Sequence, residues 1–412
     1  MIQNKKQAAL GFIFITLLID ITGFGIIIPV IPKLIMNLEN CDTSTASQYG
    51  GWLLTAYAIM QFICAPIIGN LSDRYGRRPI LLFALAGFAI DYTLTGFAPN
   101  IMWLFAGRLI AGITGASITT AAAYIADVST PEKKAQNFGM IGVAFGVGFI
   151  IGPALGGFLG KWGIRIPFFA AAGLAALNCL YGLLVLPESL PKEHRRKFEW
   201  KKANPVGSLL MFKKHPIIYG LVASIALLYV ASHAVQSAWS YYGIEKFHWD
   251  ERMIGISLAV VGVCVAAIQG GLIRIVIPKL GQEKSIYVGL AFYATGFILF
   301  GIATQTWMMF VFTLIYSFGG ITMPALQGII SNNVPKNEQG ELQGALTGLM
   351  SASTLIGPLL MTNVFAYFTA KNTPFYLPGS AMFLAAILTI VSTILAYKSL
   401  HNHKEITKAK SS

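Results

Sequence analysis

Charged residues are scarce in this chain of 412 residues. Asp, Glu, Lys and Arg together make up 11% of it, whereas 55% of the residues are hydrophobic. Ordinary soluble domains carry about 25% charged residues. The composition therefore excludes a soluble protein and leaves room for about a dozen apolar spans of roughly 20 residues each. We predict an all-α integral membrane protein.

Cysteine and histidine are also scarce, with four and six residues respectively. Cys41, Cys64, Cys179 and Cys264 share no close spacing, which argues against a disulfide framework and against a metal site. The sequence has no Gly-x-x-x-x-Gly-Lys phosphate loop and no His/Asp/Glu spacing of a metalloenzyme. We therefore expect no ATP-driven transport, no enzyme activity, no metal and no organic cofactor.

Acidic residues are outnumbered, with 17 Asp and Glu against 30 Lys and Arg and a net charge of +13. A basic protein can bind nucleic acid, but here the cations fall in short segments between apolar runs rather than on one face. Their concentration in alternate loops follows the positive-inside rule. We expect a lipid bilayer as the surroundings, no nucleic-acid partner, and both termini on the cytoplasmic side of the membrane.

Twelve apolar spans are predicted, with a polar segment in the middle of the chain. The spans are 8–36, 46–70, 79–97, 101–125, 138–160, 167–186, 217–241, 253–277, 286–304, 307–330, 344–368 and 379–398. The polar segment divides the chain into bundles 1–186 and 217–412, joined by a cytoplasmic linker 187–216. Gly139 and Pro153 of the fifth span recur as Gly344 and Pro358 of the eleventh, which predicts two pseudo-symmetric six-helix bundles.

The most charged short connection lies between the second and third spans, from Gly69 to Pro79. Its charged residues cannot lie in hydrocarbon, so this hairpin must sit in water at a membrane face. One interpretation is a positive-inside loop that only orients the protein. The other is a conformational latch formed by Gly69, Asp73, Arg74, Gly76, Arg77 and Arg78.

The hairpin reads Gly-x-x-x-Asp-Arg-x-Gly-Arg-Arg and resembles the loop signature of the major facilitator superfamily. The resemblance implies twelve helices in two halves, with this loop on the cytoplasmic side between helices two and three. It also implies transport by alternating access.

The fifth span carries a second motif, formed by Gly148, Gly152, Pro153, Gly156 and Gly157. Small residues let helix backbones approach closely in lipid, and proline bends a helix. Tight packing alone is one explanation. The string also resembles the motif of the antiporter branch of the superfamily, which implies export.

Three formal charges lie well inside the predicted spans, at Asp20, Asp91 and Arg108. Inserting each charged side chain into the membrane costs about 2.5–3.5 kcal/mol, so each is expected to have an ionic partner, a water-filled cavity or a functional role. A carboxylate in a partly dry cavity can exchange protons, and we predict that all three couple transport to protons. A structural Asp20–Arg108 pair is the alternative. Arg108-Leu-Ile-Ala-Gly also resembles the fourth-helix motif that the family associates with proton transfer.

Polar and aromatic side chains on otherwise apolar spans are candidates for the walls of a substrate cavity. They are Tyr57, Gln61, His233, Gln236, Trp239, Gln269, Gln327 and Asn363. Hydrogen bonds between helices are the alternative role for each of them. His233 is also a candidate proton site.

Several strings resemble tetracycline/proton antiporters, including Ala-Ile-Asp91-Tyr and Pro324-Ala-Leu-Gln-Gly. The resemblance implies proton-coupled export of a small amphipathic compound, and we expect the protein to be a monomer. It departs at Val265 and Phe292, where the best-known members carry a histidine and an acidic residue. Two alternatives stay open: proton-coupled uptake of a nutrient, and a receptor or structural membrane protein.

Overall fold

The computed structural model describes residues 2–115, 117–130, 133–196, 212, 218–335 and 338–411, and no strand occurs among them. The α-helices of the first part of the chain are α1 (Ile2–Ile27), α2 (Ile31–Glu39), α3 (Thr43–Tyr75), α4 (Arg77–Phe97), α5 (Ile101–Thr114), α6 (Ser117–Val128), α7 (Lys134–Gly160) and α8 (Ile166–Val185). Those of the second part are α9 (Tyr219–His233), α10 (Trp239–Phe247), α11 (Glu251–Ala267), α12 (Ile273–Ile302), α13 (Thr306–Phe318), α14 (Thr322–Asn332), α15 (Gln339–Thr369) and α16 (Ser380–Ser411).

The described residues contain 11 helical runs that are long and apolar enough to cross a membrane. One of these runs, Glu251–Ile302, has 52 residues. A straight helix of that size would be about 78 Å long, more than twice the hydrocarbon thickness of about 30 Å. Gly281 interrupts it with φ 77° and ψ 163°, a conformation that side-chain-bearing residues rarely adopt. The run therefore supplies two crossings, and the predicted all-helical fold with twelve spans is confirmed.

Several predicted spans are not single α-helices. The span 8–36 ends its first helix at Ile27 and resumes as α2 after three turn residues that include Pro29. In the fourth span, α5 ends at Thr114 and Gly115 follows in a non-helical conformation. In the seventh and eighth spans, the π-helical turns Ala234–Ala238 and Ile268–Leu272 interrupt the α-helix. Local backbone breaks of this kind leave no periodic signal in an apolar sequence.

The chain divides into two compact units. Unit 1 comprises Met1–Asp42, Leu53–Asn204 and Trp249–Gly262, and unit 2 comprises Thr43–Trp52, Pro205–His248 and Val263–Ser412. Unit 1 has a core of side chains from α1, α4, α6 and α7, among them Phe12, Leu17, Leu81 and Tyr124. The core of unit 2 includes Ile225, Leu290, Leu326 and Leu342. Most of the predicted linker 187–216 lies outside the described residues.

Candidate functional site

A buried ion pair joins α4 to α5. The Nη2 group of Arg108 donates a hydrogen bond to Oδ2 of Asp91, and Asp91 is fully buried while Arg108 is 5% exposed. Gly107 makes room for this arrangement, since a Cβ there would lie 2.5 Å from Oδ1 of Asp91. Two charges out of water need good mutual geometry to be tolerated. The structure thus gives Arg108 the carboxylate of Asp91 as its partner.

Asp20 belongs to the same electrostatic cluster. Both of its carboxylate oxygens are buried. The phenols of Tyr57 on α3 and Tyr92 on α4 interact electrostatically with Asp20, Asp91 and Arg108 alike. Charged side chains from α1, α4 and α5 thus all act on the same two phenols, which places the three predicted proton-coupling residues around one pair of tyrosines.

A group of hydrogen bonds lies next to this ionic cluster. The amide of Gln61 donates to the hydroxyl of Tyr57 at 2.9 Å and to the carbonyl oxygen of Gly115 at 3.0 Å. Gly115 is where α5 ends, so its carbonyl is available for a side-chain partner. Transporters place substrate sites at such helix breaks near the middle of the membrane. Two of the predicted cavity residues, Tyr57 and Gln61, thus lie beside the ion pair.

The polar residues of the seventh span have three different surroundings within unit 2. His233 is buried at the end of α9, and Gly357 of α15 packs against its imidazole ring. Gln236 is exposed and donates its amide to the hydroxyl of Ser232 at 2.9 Å. Trp239 is 1% exposed and meets the ring of Phe300 edge-on at 5.0 Å between centroids. The indole of Trp239 therefore serves the core packing of unit 2.

The other three predicted cavity residues also belong to unit 2. Gln269 is exposed within the second π-helical turn, Gln327 hydrogen bonds with the phenol of Tyr229, and Asn363 donates its amide to the carbonyl oxygen of Leu359 at 2.8 Å. The bond of Asn363 stays within its own helix.

The two π-helical turns were not predicted from the sequence. Such turns concentrate at functional sites, and irregular backbone at membrane depth occurs where it is covered by protein or lines a water-filled cavity. Gly270-Gly271 is the one sequence signal for the second turn, and the first turn has none.

The hairpin between α3 and α4 is organised by Arg77, which is 9% exposed. Its Nη1 group donates to Asp73 at 2.5 Å and to the hydroxyl of Ser72 at 3.1 Å, while its Nε group donates to Asp127 at 3.1 Å. Charge-assisted bonds of this kind are the strong ones in proteins. Asp127, near the end of α6, is a partner that sequence reasoning missed, because a lone acidic residue at the end of a span has no distinguishing motif.

Glu188 binds the beginning of α4. Its two carboxylate oxygens accept hydrogen bonds from the backbone N–H groups of Arg77 at 2.8 Å and Arg78 at 3.3 Å. Gly76 has φ 108° and leaves space for this carboxylate. A negative charge is favoured at a helix N-terminus, where backbone N–H groups lack partners. The sequence showed Glu188 only as one acidic residue in a basic linker, so its capping role was missed.

The remaining residues of the predicted latch are less constrained. The side chain of Arg78 donates to the carbonyl oxygen of Leu183 at 2.7 Å, and the guanidinium of Arg74 lies over the ring of Tyr75 at 5.1 Å. A Cβ added at Gly69 would meet no atom within 4 Å. Arg77 is therefore the residue that links Asp73 to Asp127 and to α4.

The glycines of α7 lie on two different faces. Gly148, Gly152 and Gly156 pack against α1, where a Cβ on Gly152 would come within 2.7 Å of the Cα atom of Gly25. Gly157 packs against the backbone of Glu251 at the start of α11. Pro153 lies beside Gly25, at 2.9 Å from the position of a Cβ there. The motif that resembles the antiporter signature therefore forms the close packing of α7 with α1 and with the start of α11.

Curated relatives match nearly the full chain. It is 39% identical to the tetracycline resistance protein of class C from Escherichia coli, over 93% of this chain and 96% of the relative. The class G protein from Vibrio anguillarum is 38% identical over the same shares. Multidrug resistance protein 2 of Bacillus subtilis is 29% identical over 94% of this chain and 96% of the relative.

Solved structures show the same fold. A bacterial homolog of the human lysosomal transporter Spinster has a TM-score of 0.77 at 16% identity, covering 96% of this chain and 97% of that one. The human organic anion transporter MFSD10 has a TM-score of 0.68 at 22% identity, with 95% and 99% covered. The profile of the Major Facilitator Superfamily matches residues 13–306 and 245–412. With its twelve apolar crossings and its hairpin signature, the chain belongs to the major facilitator superfamily.

Proposed function

We propose that the protein exports a small amphipathic organic compound in exchange for protons, and that tetracycline is the first compound to test. The observation that carries the proposal is the buried Asp91–Arg108 pair, with Asp20 in the same electrostatic cluster and the hydrogen-bonded Tyr57 and Gln61 beside it. The names of the relatives from Escherichia coli and Vibrio anguillarum supply the candidate substrate.

Exchange follows when a proton and a ligand compete for one carboxylate. Protonation from outside releases the substrate, and substrate binding from inside releases the proton. Arg108 stays charged at any relevant pH, so it sets the local field instead of titrating itself, and Asp20 and Asp91 are the carboxylates that take and give the proton. The protein would work by alternating access as a monomer in a bacterial inner membrane, with both termini cytoplasmic and protons as the coupling ion.

The resemblance to tetracycline/proton antiporters departs at two positions of unit 2. Phe292 stands where those proteins have an acidic residue, and its ring lies 5.2 Å from that of Phe318. Val265 replaces their histidine. An apolar contact in place of an ionisable group cannot take part in proton transfer, so Asp20 and Asp91 carry that task here.

Flux in proteoliposomes tests the proposal. With an acidic interior, an antiporter accumulates tetracycline inside as protons leave, and dissipating the gradient with an ionophore abolishes the accumulation. Accumulation that requires an alkaline interior would instead support proton-coupled uptake. If neither gradient moves tetracycline or any compound that binds the purified protein, the receptor or structural alternative is favoured.

A further inference from the structure

An ion pair lies at the end of the helices that is remote from the charged hairpin. The Nζ atom of Lys33 on α2 lies 2.7 Å from Oε1 of Glu251, the first residue of α11. The side chain of Glu251 is 11% exposed, whereas that of Lys33 is 49% exposed. Lys33 precedes α3 in the chain and the hairpin at Gly76 follows it. Because α3 has 33 residues, the two lie near opposite ends of that helix. In the predicted topology this is the outer side of the membrane.

Glu251 is placed by the close packing of its backbone. A Cβ at Gly157 of α7 would lie 2.6 Å from the carbonyl oxygen of Glu251, and one at Gly160 would lie 3.2 Å from its Cβ atom. The same position on Gly160 is 3.0 Å from a methyl carbon of Val30, just before α2. The corner between α1 and α2, the end of α7 and the start of α11 therefore meet at one point.

The helix α11 is shared between the two units. Its residues up to Gly262 pack with unit 1, where Gly255 lies against Gly157 and Gly262 against Ile150. From Val263 onward the helix belongs to unit 2. The predicted sequence division, however, assigns the whole helix to the second bundle, 217–412. Alternating access by rocking of one bundle against the other would therefore require residues 249–262 to leave α7.

We propose that the Lys33–Glu251 pair, here called the outer clasp, holds the first turn of α11 on the corner between α1 and α2 and opens once in each transport cycle. The inference rests on the proposed function, since it assigns these residues a positioning role in that cycle. Glycine packing alone gives close but non-directional contact, whereas the ion pair adds a bond that one side-chain exchange can remove.

Amide hydrogen exchange of residues 249–262 measures opening of the clasp without any substrate. Glu251→Gln and Lys33→Gln each neutralise one member of the ion pair. We expect amide hydrogen exchange of residues 249–262 to become about two- to fivefold faster than in the unmodified protein, as for weak to moderate ion pairs. Lys33→Arg keeps the pair and should restore slow exchange. The matched control is Arg252→Gln, which removes an exposed charge one residue away. Equal exchange in Glu251→Gln and Arg252→Gln would overturn the proposal.

Cross-linking distinguishes a clasp that opens from a contact that never does. Cysteines at positions 33 and 251, in a chain whose four native cysteines are replaced by serine, are joined by a short reducible bifunctional reagent. We expect tetracycline flux to fall at least tenfold, the Kd for tetracycline to stay within twofold, and flux to return on reduction. Unchanged flux in the cross-linked protein would show that the clasp is static. Absence of flux before cross-linking would count against the proposed function, while the exchange measurement would still decide whether the pair holds α11.

Discussion

At the residue scale, the hydrogen bond between Asp91 and Arg108 makes Asp91 matter for stability as well as for transport. Asp91→Asn leaves the guanidinium of Arg108 buried without its negative partner, which costs about 3–5 kcal/mol. We therefore expect this variant to lose thermal stability in detergent as well as gradient-driven flux. The double variant Asp91→Asn with Arg108→Gln should recover part of the stability, because the unpaired guanidinium is removed, and none of the uphill flux. Equal melting temperatures for the unmodified protein and Asp91→Asn would contradict the importance of the pair.

Asp20→Asn is predicted to act on coupling alone. Asp20 shares the electrostatic cluster, but Arg108 keeps its hydrogen bond to Asp91 when Asp20 is neutralised. We expect uphill accumulation of tetracycline to fall at least tenfold while downhill exchange and the melting temperature stay close to those of the unmodified protein. Gln269→Ala, which removes an exposed amide in the second π-helical turn, is the comparison and should keep its dependence on external pH. Uphill transport by Asp20→Asn with unchanged pH dependence would assign coupling elsewhere, beginning with His233.

At the element scale, the face of α7 that meets α1 tests the role of the glycine motif. Gly152→Ala would place a methyl group 2.7 Å from the Cα atom of Gly25, and backbone atoms cannot move aside cheaply. Overpacking of this kind costs about 1–3 kcal/mol. Gly142→Ala is the matched control on the same helix, since no atom lies within 4 Å of its added Cβ. We expect a lower melting temperature for Gly152→Ala only, and equal loss in both variants would show that helix flexibility rather than packing is what the glycines provide.

The turn between α3 and α4 gives the second prediction at this scale. Arg77 uses Nη1 for Asp73 and Nε for Asp127, and a lysine ammonium cannot reproduce this fork. Arg77→Lys should therefore slow turnover about tenfold, which corresponds to about 1.4 kcal/mol, and leave the Kd for tetracycline within twofold. Arg74→Lys, which changes a cation over the ring of Tyr75, should cause a smaller loss. Weaker binding with normal turnover in Arg77→Lys would contradict a role in conformational change.

At the scale of the whole molecule, apolar runs and loop charges were enough to predict the helical fold, the number of crossings and the position of the hairpin. They could not predict the helix break at Gly115 or the two π-helical turns, because an apolar segment has the same composition whether its backbone hydrogen bonds continue or not. Asp20, Asp91 and Arg108 could also be predicted as candidate site residues, because charges are rare in apolar spans. The bond between Arg108 and Asp91 depends on which faces of α4 and α5 meet, and the room that Gly107 leaves for the Asp91 carboxylate is a contact that no spacing rule reveals.

The orientation of the molecule is the prediction that connects these scales, because every proposed step assigns an inner and an outer side. The last helix, α16, has 32 residues and is about 48 Å long, more than the hydrocarbon thickness, so its two ends lie on opposite faces. In a cysteine-free chain, a cysteine at Asn372, just before α16, should react with a membrane-impermeant maleimide in intact cells. One at Ser411 should react only after the cells are permeabilised. The reverse pattern would place the hairpin outside and the Lys33–Glu251 pair inside, and the export proposal would then have to be rewritten as uptake.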